Sequence, residues 1–538
     1  MTGNLSRRGV LAASAGAAAT AACGGAVVGL DPINKGIDVG NGSEPLSLDP
    51  HKASGQWENN IIGNLFVGLT TDDDMALPIP GMAERWETSE DGLTWTFYLR
   101  DALWSDGAPC TAYDFEFAYR RILNPNTIAE YASILYPLLN AEACKKGDLP
   151  IEALGVRAID AKTFEIRLEH PAPYLPGLLK HYTSFPVPKH VVEKHGDAWI
   201  APENAVTNGA YTLVKWWSNY MIQLQKNPRF FDADNVQIER LYFYPTNDDD
   251  AAARRVMRGE IAWSTSFPGK KRDFYESQLP GFVQVHPWML LQYFSLNTRK
   301  PPFDDIRVRR AMSLAIDRDF LCNEIWKAGY LPSYSIVPAG MYNWPSGAKA
   351  YFADWPLEKR RAEAVRLLQE AGYGPNRPLR FTFRHRNSRE NPQIAVVAQA
   401  DWRSLAPWVD VEIRGSETQI HYAALRASDF EAADGGWIAD YNDPRNYLYL
   451  FETRTGPQNY PGYSNAEYDR LMLAADNERD AAVRADLMRQ AEKIALDDCP
   501  MVVVAFGAST NLVHPRISGW SGNLEDVHRA RWMAIEQA

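Results

Sequence analysis

The residues best suited to chemistry lie in one short segment, Gly435–Pro444, which carries an isolated acid in apolar surroundings. Two glycines at its start let the backbone come close to a neighbouring group. The acid is Asp440, and the nearest cationic side chain along the sequence is that of Arg445. Because an unpaired buried charge is costly, Asp440 needs a cationic partner from elsewhere in the fold or from a ligand. The alternative is a carboxylate that caps a turn, since Asn442–Pro444 has turn chemistry.

No catalytic motif accompanies this acid. The chain has no G-x-S-x-G, G-x-x-x-x-G-K-[ST] or H-E-x-x-H motif. His190 and His195 are five residues apart, a spacing that does not place them on one helical face. The acidic pairs Asp304–Asp305 and Asp497–Asp498 fall where helix caps and exposed helix faces are expected. The residues therefore give no support to an enzyme, and we expect no metal or cofactor; a hydrolase stays open as the enzymatic alternative.

Strands and helices must position this segment, and the sequence mixes both throughout. Alternating apolar and polar residues predict strand pairs within 86–100, 157–168 and 210–225. Capping patterns at Thr111–Asp114 and Asp248–Asp250 predict two helix starts. Apolar spacings of three and four predict further helices at 305–321, 356–371, 392–405, 421–427, 466–475 and 479–496. An apolar strand is predicted after them, at 501–506. The predicted fold class is α/β with mixed sheets.

Composition excludes several classes of partner. The chain has 538 residues, enough for two or three domains, and a net charge of −11. That charge argues against nucleic acid, which requires basic patches. Aromatic residues make up 12% of the chain, which suits large cores and aromatic-lined clefts alike.

The N-terminus, residues 1–23, is typical of a bacterial export signal. Ser6–Leu11 contains a twin-arginine pair and precedes an Ala/Gly-rich stretch. Cys23 ends a lipoprotein-type cleavage sequence, although Thr20 stands where a bulky aliphatic residue is usual. We expect twin-arginine export to the periplasm, with a lipid on Cys23 as the one membrane attachment. Ordinary signal-peptidase cleavage within the Ala-rich stretch is the alternative.

The remaining cysteines carry little functional signal. Cys110, Cys144, Cys322 and Cys499 are far apart and form no C-x-x-C pair, so zinc and redox roles have weak support. We expect buried free thiols. A single disulfide stays open as the alternative.

Six further segments are distinctive, namely Asn41–His51, Leu99–Gly107, Thr111–Phe115, Thr207–Tyr211, Pro301–Arg309 and Ala315–Arg318. In chain order, they resemble segments of the oligopeptide-binding proteins of ABC importers, in the peptide/nickel-binding class of the bacterial extracellular solute-binding protein family 5. The resemblance runs from about residue 40 to the C-terminus and places Trp437–Pro444 on the family's ligand site.

This resemblance implies a periplasmic-binding-protein type II fold in which two lobes close around a hinge on a ligand. Lobe I is expected to combine residues 24–66, 185–292 and 508–538. An inserted domain is expected at 67–184, and lobe II, with the ligand-amine site, at 293–507. The family also implies a monomer that passes extended oligopeptides to the transmembrane permease subunits of an ABC importer.

The resemblance also implies site residues. Asp440 matches the acid that binds the peptide α-ammonium, and Trp437 and Ile438 match residues whose backbone pairs with the peptide. Tyr131 matches an aromatic lining position, and Ser54–Gln56 a strand beside the ligand. The expected ligand-binding residues at this end are thus Asp440, Gly436, Trp437, Ile438, Tyr131, Ser54 and Gln56.

The other end of the site departs from the family. Where relatives carry basic residues for the peptide carboxylate, this chain has Trp326, Asn391 and Asp434. Asp434 replaces a cation with an anion and is expected to repel a carboxylate. The substitutes nearby are Lys327, Arg386 and Arg426. A family disulfide is also missing, since its positions fall on Leu290 and Ile438.

The expected function is therefore capture of oligopeptides in a cleft between two lobes. The alternative keeps the fold but changes the ligand to a modified peptide, an oligosaccharide, haem or a metal complex.

Overall fold

The computed structural model describes residues 36–129, 131–388 and 390–536, so the export signal and Cys23 lie outside the described residues. Nineteen strands are described, namely β1 Ile37–Gly40, β2 Thr70–Asp72, β3 Pro78–Pro80, β4 Ala83–Thr88, β5 Thr94–Leu99, β6 Val156–Ala158, β7 Thr163–Arg167, β8 Tyr211–Trp217, β9 Met221–Lys226, β10 Arg240–Tyr244, β11 Trp263–Ser264, β12 Val283–Leu296, β13 Leu331–Pro332, β14 Leu379–Arg386, β15 Val409–Ser416, β16 Ala432–Ile438, β17 Met501–Val513, β18 Ile517–Ser518 and β19 Ala534–Ile535.

Fifteen α-helices are described between these strands. They are α1 Gln56–Leu65, α2 Ala112–Leu123, α3 Ala141–Lys146, α4 Leu175–Leu178, α5 Lys189–His195, α6 Asp249–Met257, α7 Arg272–Gln278, α8 Ile306–Ala315, α9 Arg318–Phe320, α10 Leu357–Glu370, α11 Asn391–Arg403, α12 Thr418–Arg426, α13 Arg445–Leu448, α14 Ala466–Asp476 and α15 Ala481–Asp498.

Local chemistry explains most element boundaries. The strand pairs β4–β5, β6–β7 and β8–β9 confirm the predicted hairpins. Thr111 and Asp114 form the predicted capping box of α2, and the Asp248 carboxylate accepts the Ala251 N–H at 2.8 Å to begin α6. The helix predicted over 305–321 is divided, however. Asp317 starts a new turn there by accepting the Phe320 N–H at 3.0 Å, a local bond that competes with helix continuation.

One large mixed sheet runs through the molecule in the order β15-β14-β16-β12-β17-β11-β1-β10-β9-β8, with β13 beside β17. β1 is parallel to β10, and β14 is parallel to both β15 and β16. A separate four-stranded sheet, β4-β5-β7-β6, lies within residues 67–184. The α/β class with mixed sheets is therefore confirmed.

The long antiparallel strands β12 and β17, of 14 and 13 residues, connect two groups of hydrophobic cores. One core joins residues 37–263 to the C-terminal segment, and two others lie within residues 289–505. The pairing of β12 with β17 is irregular between Pro287 and Leu291. Such irregularities bend a strand locally, and this one separates the two groups of cores.

Candidate ligand-binding site

Strand β16 offers an open backbone edge at Gly435–Ile438. β16 pairs with β12 along the whole length of β16. On the other side of β16, β14 pairs only with Ala432 and Ala433. The Ala439 N–H donates to the Met289 carbonyl at 2.9 Å. Because hydrogen-bonding direction alternates along a strand, the backbone groups of Gly436 and Ile438 point away from β12. Such an edge can accept an extended chain as an additional strand.

Gly435 begins this edge, and the neighbouring strand leaves no room for a side chain there. A Cβ on Gly435 would lie 2.5 Å from the Tyr293 ring on β12. Trp437 turns its indole inward, where Nε1 donates to the Asn446 side-chain oxygen at 2.9 Å. The same oxygen accepts the Asp440 N–H at 3.3 Å. Asn446 thereby holds both ends of the segment that leads from the strand to the acid.

Asp440 is half-buried directly beyond this edge. The Tyr131 hydroxyl donates to its carboxylate from across the cleft. No described Lys or Arg side chain forms an ion pair with it, so its charge is uncompensated within the described residues. Burial raises the pKa of Asp440 to about 6, against the lowering effect of the hydrogen bonds from Tyr131 and Asn446.

A cavity of about 200 Å³ opens onto this carboxylate. It brings together five of the residues expected from sequence, namely Ser54, Gln56, Tyr131, Ile438 and Asp440. Burial lowers the pKa of the neighbouring His181 to about 3, so this imidazole is neutral at physiological pH and adds no cation. The cavity therefore offers an anion and hydrogen-bonding groups to a cationic guest.

Six residues of this cavity escaped the sequence reasoning. They are Asn59, His181, Tyr182, Trp288, Glu525 and Val527. Each of them is more than 80 residues from Asp440 along the chain. No local pattern marks them, because only the chain's path brings them to the cavity.

The opposite end of the open edge carries a buried ion pair rather than a bare anion. Asp434 accepts from Arg386 Nε at 2.8 Å and from the Arg386 backbone N–H at 3.0 Å. His421 Nε2 lies 3.0 Å from its Oδ1. These partners hold the pKa of Asp434 below its usual value despite burial. Of the three substitute cations suggested by the sequence, Arg386 is the one that pairs with Asp434, and its guanidinium also lies 5.5 Å from the Tyr422 ring centre.

Trp326 and Asn391 do not join the cavity at Asp440. Trp326 is buried in a core of residues 294–505 and stacks on Tyr330 with ring centres 4.8 Å apart. Asn391 begins α11, and its amide donates to the Ser388 carbonyl at 2.9 Å. Both side chains are occupied by local packing or bonding.

The positions of the missing disulfide face each other. Leu290 on β12 and Ile438 on β16 are direct cross-strand partners. The four described cysteines are buried and free, as expected. Among the residues with described positions, no cluster of His, Cys, Asp and Glu could hold a metal ion. No helix in the same part of the chain is long and apolar enough to cross a membrane.

Sequence comparison gives extensive matches. Residues 78–459 match the family described as bacterial extracellular solute-binding proteins, family 5 Middle. The chain is 36% identical over 489 residues to the periplasmic oligopeptide-binding protein OppA of Salmonella typhimurium, covering 90% of this chain and 89% of that protein. It is 33% identical over 499 residues to the periplasmic murein peptide-binding protein MppA of Escherichia coli, covering 91% of each.

Solved structures match over nearly the whole chain. The unliganded open form of the murein tripeptide-binding protein MppA has a TM-score of 0.83 at 31% identity, covering 93% of this chain and 97% of that one. OppA of Haemophilus influenzae in complex with RPPGFSPFR has a TM-score of 0.78 at 33% identity, covering 94% and 99%. The expected type II periplasmic-binding fold is therefore confirmed.

Proposed function

The chain belongs to the bacterial extracellular solute-binding proteins of family 5, and from this premise we propose that it captures oligopeptides in its cleft and delivers them to an ABC importer. The observation that carries the proposal is an uncompensated carboxylate, Asp440, at the end of an open strand edge. Relatives named as oligopeptide-binding and murein peptide-binding proteins support a peptide ligand.

The peptide amine is the cation that Asp440 lacks. A charged hydrogen bond from an α-ammonium to this carboxylate would offset the burial that now raises its pKa. Gly436 and Ile438 supply backbone groups for an adjacent extended peptide, which gives affinity without selecting a side chain. Tyr131, Ser54 and Gln56 close the cavity around the first residue.

Arg386 is the best-placed cation for the peptide carboxylate. Asp434 fixes one edge of its guanidinium through Nε, and the terminal nitrogens, which lie near the Tyr422 hydroxyl, are the donors for the peptide carboxylate. Asp434 and Asp440 are six positions apart, a separation that spans at most ~20 Å when the chain is extended. Allowing for the reach of both side chains, the two charges suit a peptide of about three or four residues.

The lobes follow the ranges given above. We assign residues 24–66, 185–292 and 508–538 to lobe I, 67–184 to the inserted domain and 293–507 to lobe II; residues 24–35, 130, 389 and 537–538 of these ranges lie outside the described residues. We place the hinge at the irregular pairing of β12 with β17 between Pro287 and Leu291. Twin-arginine export, a lipid on Cys23 and a monomeric state complete the proposal on sequence grounds.

A calorimetric titration tests the amine site. The protein is titrated with Ala-Ala-Ala and with its N-acetylated form. We expect the free tripeptide to bind and acetylation to weaken binding at least tenfold, because acetylation removes the charge that Asp440 receives. Asp440→Asn should bind the free tripeptide as weakly as the native protein binds the acetylated one. Equal affinity of the native protein for both peptides would contradict the amine assignment, and failure of every peptide tried would contradict peptide binding itself.

A further inference from the structure

A second cavity, of about 270 Å³, lies between the inserted domain and lobe II. Its walls come from Trp86, Trp95 and Tyr174 on one side and from Tyr342, Tyr441 and Arg484 on the other. It shares no lining residue with the cavity at Asp440. Its volume approaches the lower end of small-molecule sites, roughly 300 Å³.

The walls of this cavity are mainly aromatic. Tyr174 and Tyr441 stack in parallel, with ring centres 5.0 Å apart and an interplanar angle of 6°. Trp95 is buried against Phe97, with ring centres 6.4 Å apart. A flat apolar body would therefore meet ring faces and edges on both sides.

Two buried donors that line the cavity have no acceptor. Trp95 Nε1 and Arg484 Nε make no hydrogen bond within the described part of the chain. The terminal nitrogens of Arg484 are occupied, since they donate to Asp443 at 2.8 and 2.9 Å. An unsatisfied buried donor is costly, so these two N–H groups favour a guest that carries acceptor oxygens.

The charge around the cavity favours an anion. Asp443 is the one acidic residue of the lining, and Arg484 compensates it. Arg479 adds an exposed cation at the lining. The N-terminus of α15 adds no further positive charge, because the Asp480 carboxylate already accepts two backbone N–H groups there.

We propose that this cavity is an accessory site for a small aromatic carboxylate. The ring packs against Trp86 and Tyr342, beside the stacked pair of Tyr174 and Tyr441, and the carboxylate oxygens accept from Trp95 Nε1–H and Arg484 Nε–H. The site is separate from the peptide cleft and does not depend on the function proposed for it.

Gly177 allows the cavity to be blocked without disturbing its walls. It lines the cavity within α4, and a Cβ there would meet no atom within 4 Å. Gly177→Leu therefore fills the cavity from a strain-free position. Gly374→Leu is the matched control, because Gly374 has equally open surroundings but lies in lobe II outside the lining.

Fluorine NMR titration of the full chain with 4-fluorophenylacetate tests the proposal. We expect saturable binding that Gly177→Leu weakens at least tenfold and Gly374→Leu leaves unchanged. Trp95→Phe keeps an aromatic ring but removes the donor, and should weaken binding at least tenfold, as expected for one hydrogen bond to a charged carboxylate. The cationic analogue 4-fluorophenethylamine should bind at least tenfold more weakly than the anion.

Parallel titration with Ala-Ala-Ala separates the two sites. Gly177→Leu and Trp95→Phe should retain the native response to peptide, which also reports that they are folded. The proposal is overturned if 4-fluorophenylacetate does not bind, if Gly177→Leu binds it normally, or if the amine analogue binds as well. Displacement of the fluorinated acid by the tripeptide would also overturn it, because the acid would then occupy the peptide cleft.

Discussion

At the residue scale, the environment of Asp440 determines when it carries a charge. Burial raises its pKa to about 6. The phenols that face it, those of Tyr131, Tyr182, Tyr447 and Tyr449, all have raised pKa values and remain neutral. The free protein thus holds an acid that titrates near neutrality.

Peptide affinity should therefore depend on pH. Only the ionised form of Asp440 attracts an α-ammonium, so affinity should fall as pH decreases through about 6, approaching tenfold per pH unit by linkage. Calorimetric titration of a tripeptide between pH 4.5 and 7.5 measures this. Asp440→Asn serves as the control because it should remove that step; a step that persists in the variant would assign it to another group, such as Glu525 in the same cavity.

Arg386 pairs with Asp434 and is also the proposed partner of the peptide carboxylate. Arg386→Gln should abolish the preference of the native protein for a tripeptide over the corresponding C-terminal amide. A charged hydrogen bond contributes about 1.5–3 kcal/mol, so affinity for the free acid should fall about tenfold to a hundredfold, while affinity for the amide should not change. Calorimetric affinities of the native protein and the variant for both peptides measure this preference.

The matching variant Arg386→Gln/Asp434→Asn avoids a buried unpaired carboxylate. It should show the same loss of preference as the single variant. Retention of the preference in both variants would rule out Arg386 as the carboxylate partner.

At the element scale, α15 fixes the loop of residues 336–348 through one buried acid. Glu492 of α15 is fully buried, and its carboxylate accepts the N–H groups of Ile336, Val337 and Ala348 at 2.8, 2.9 and 2.6 Å. One side chain thus satisfies three backbone donors that would otherwise be buried without partners.

Glu492→Gln should destabilise the protein. The amide keeps one acceptor oxygen but presents a donor to the remaining N–H, so at least one backbone donor is left unsatisfied. We expect a loss of about 1–3 kcal/mol in the free energy of unfolding, measured by urea denaturation. Glu467→Gln, at an exposed position in α14, should change it by less than about 0.5 kcal/mol; equal effects would show that Glu492 does not hold the loop.

At the scale of the whole molecule, an aromatic contact links residues 293–507 to the core formed by residues 37–263 and the C-terminal segment. Among the described residues, Tyr441 is the one member of that core from 293–507. It stacks on Tyr174, whose ring also lies 5.7 Å from the Arg484 guanidinium. These contacts complete a surface on which the cleft can close.

Tyr174→Ala should therefore weaken peptide binding without touching the peptide. An aromatic pair contributes about 0.5–1.5 kcal/mol, which corresponds to a roughly two- to tenfold loss of affinity if the contact forms on closure. Tyr113→Ala removes an exposed tyrosine of the inserted domain and should have no effect. Unchanged affinity in Tyr174→Ala would mean that this contact does not contribute to the bound state.

The sequence by itself determined the elements and the family. Alternation, capping residues and helical spacing depend on neighbours along the chain, so the hairpins and most helices followed from pattern. The divided helix at Asp317 did not, because a side-chain cap there competes with an otherwise continuous apolar spacing. The identity of Asp440 as an acid without a nearby cation was likewise readable from sequence.

Only the tertiary structure decided how the charges are matched. Arg386 and Asp434 are 48 residues apart, and Tyr131 and Asp440 are 309 apart. Strand order and the path of the inserted domain bring these side chains together, and no local pattern encodes either pairing. Whether a carboxylate is bare, paired or raised in pKa depends on burial and on partners distant in sequence, so the electrostatic character of the site appears only once the chain is folded.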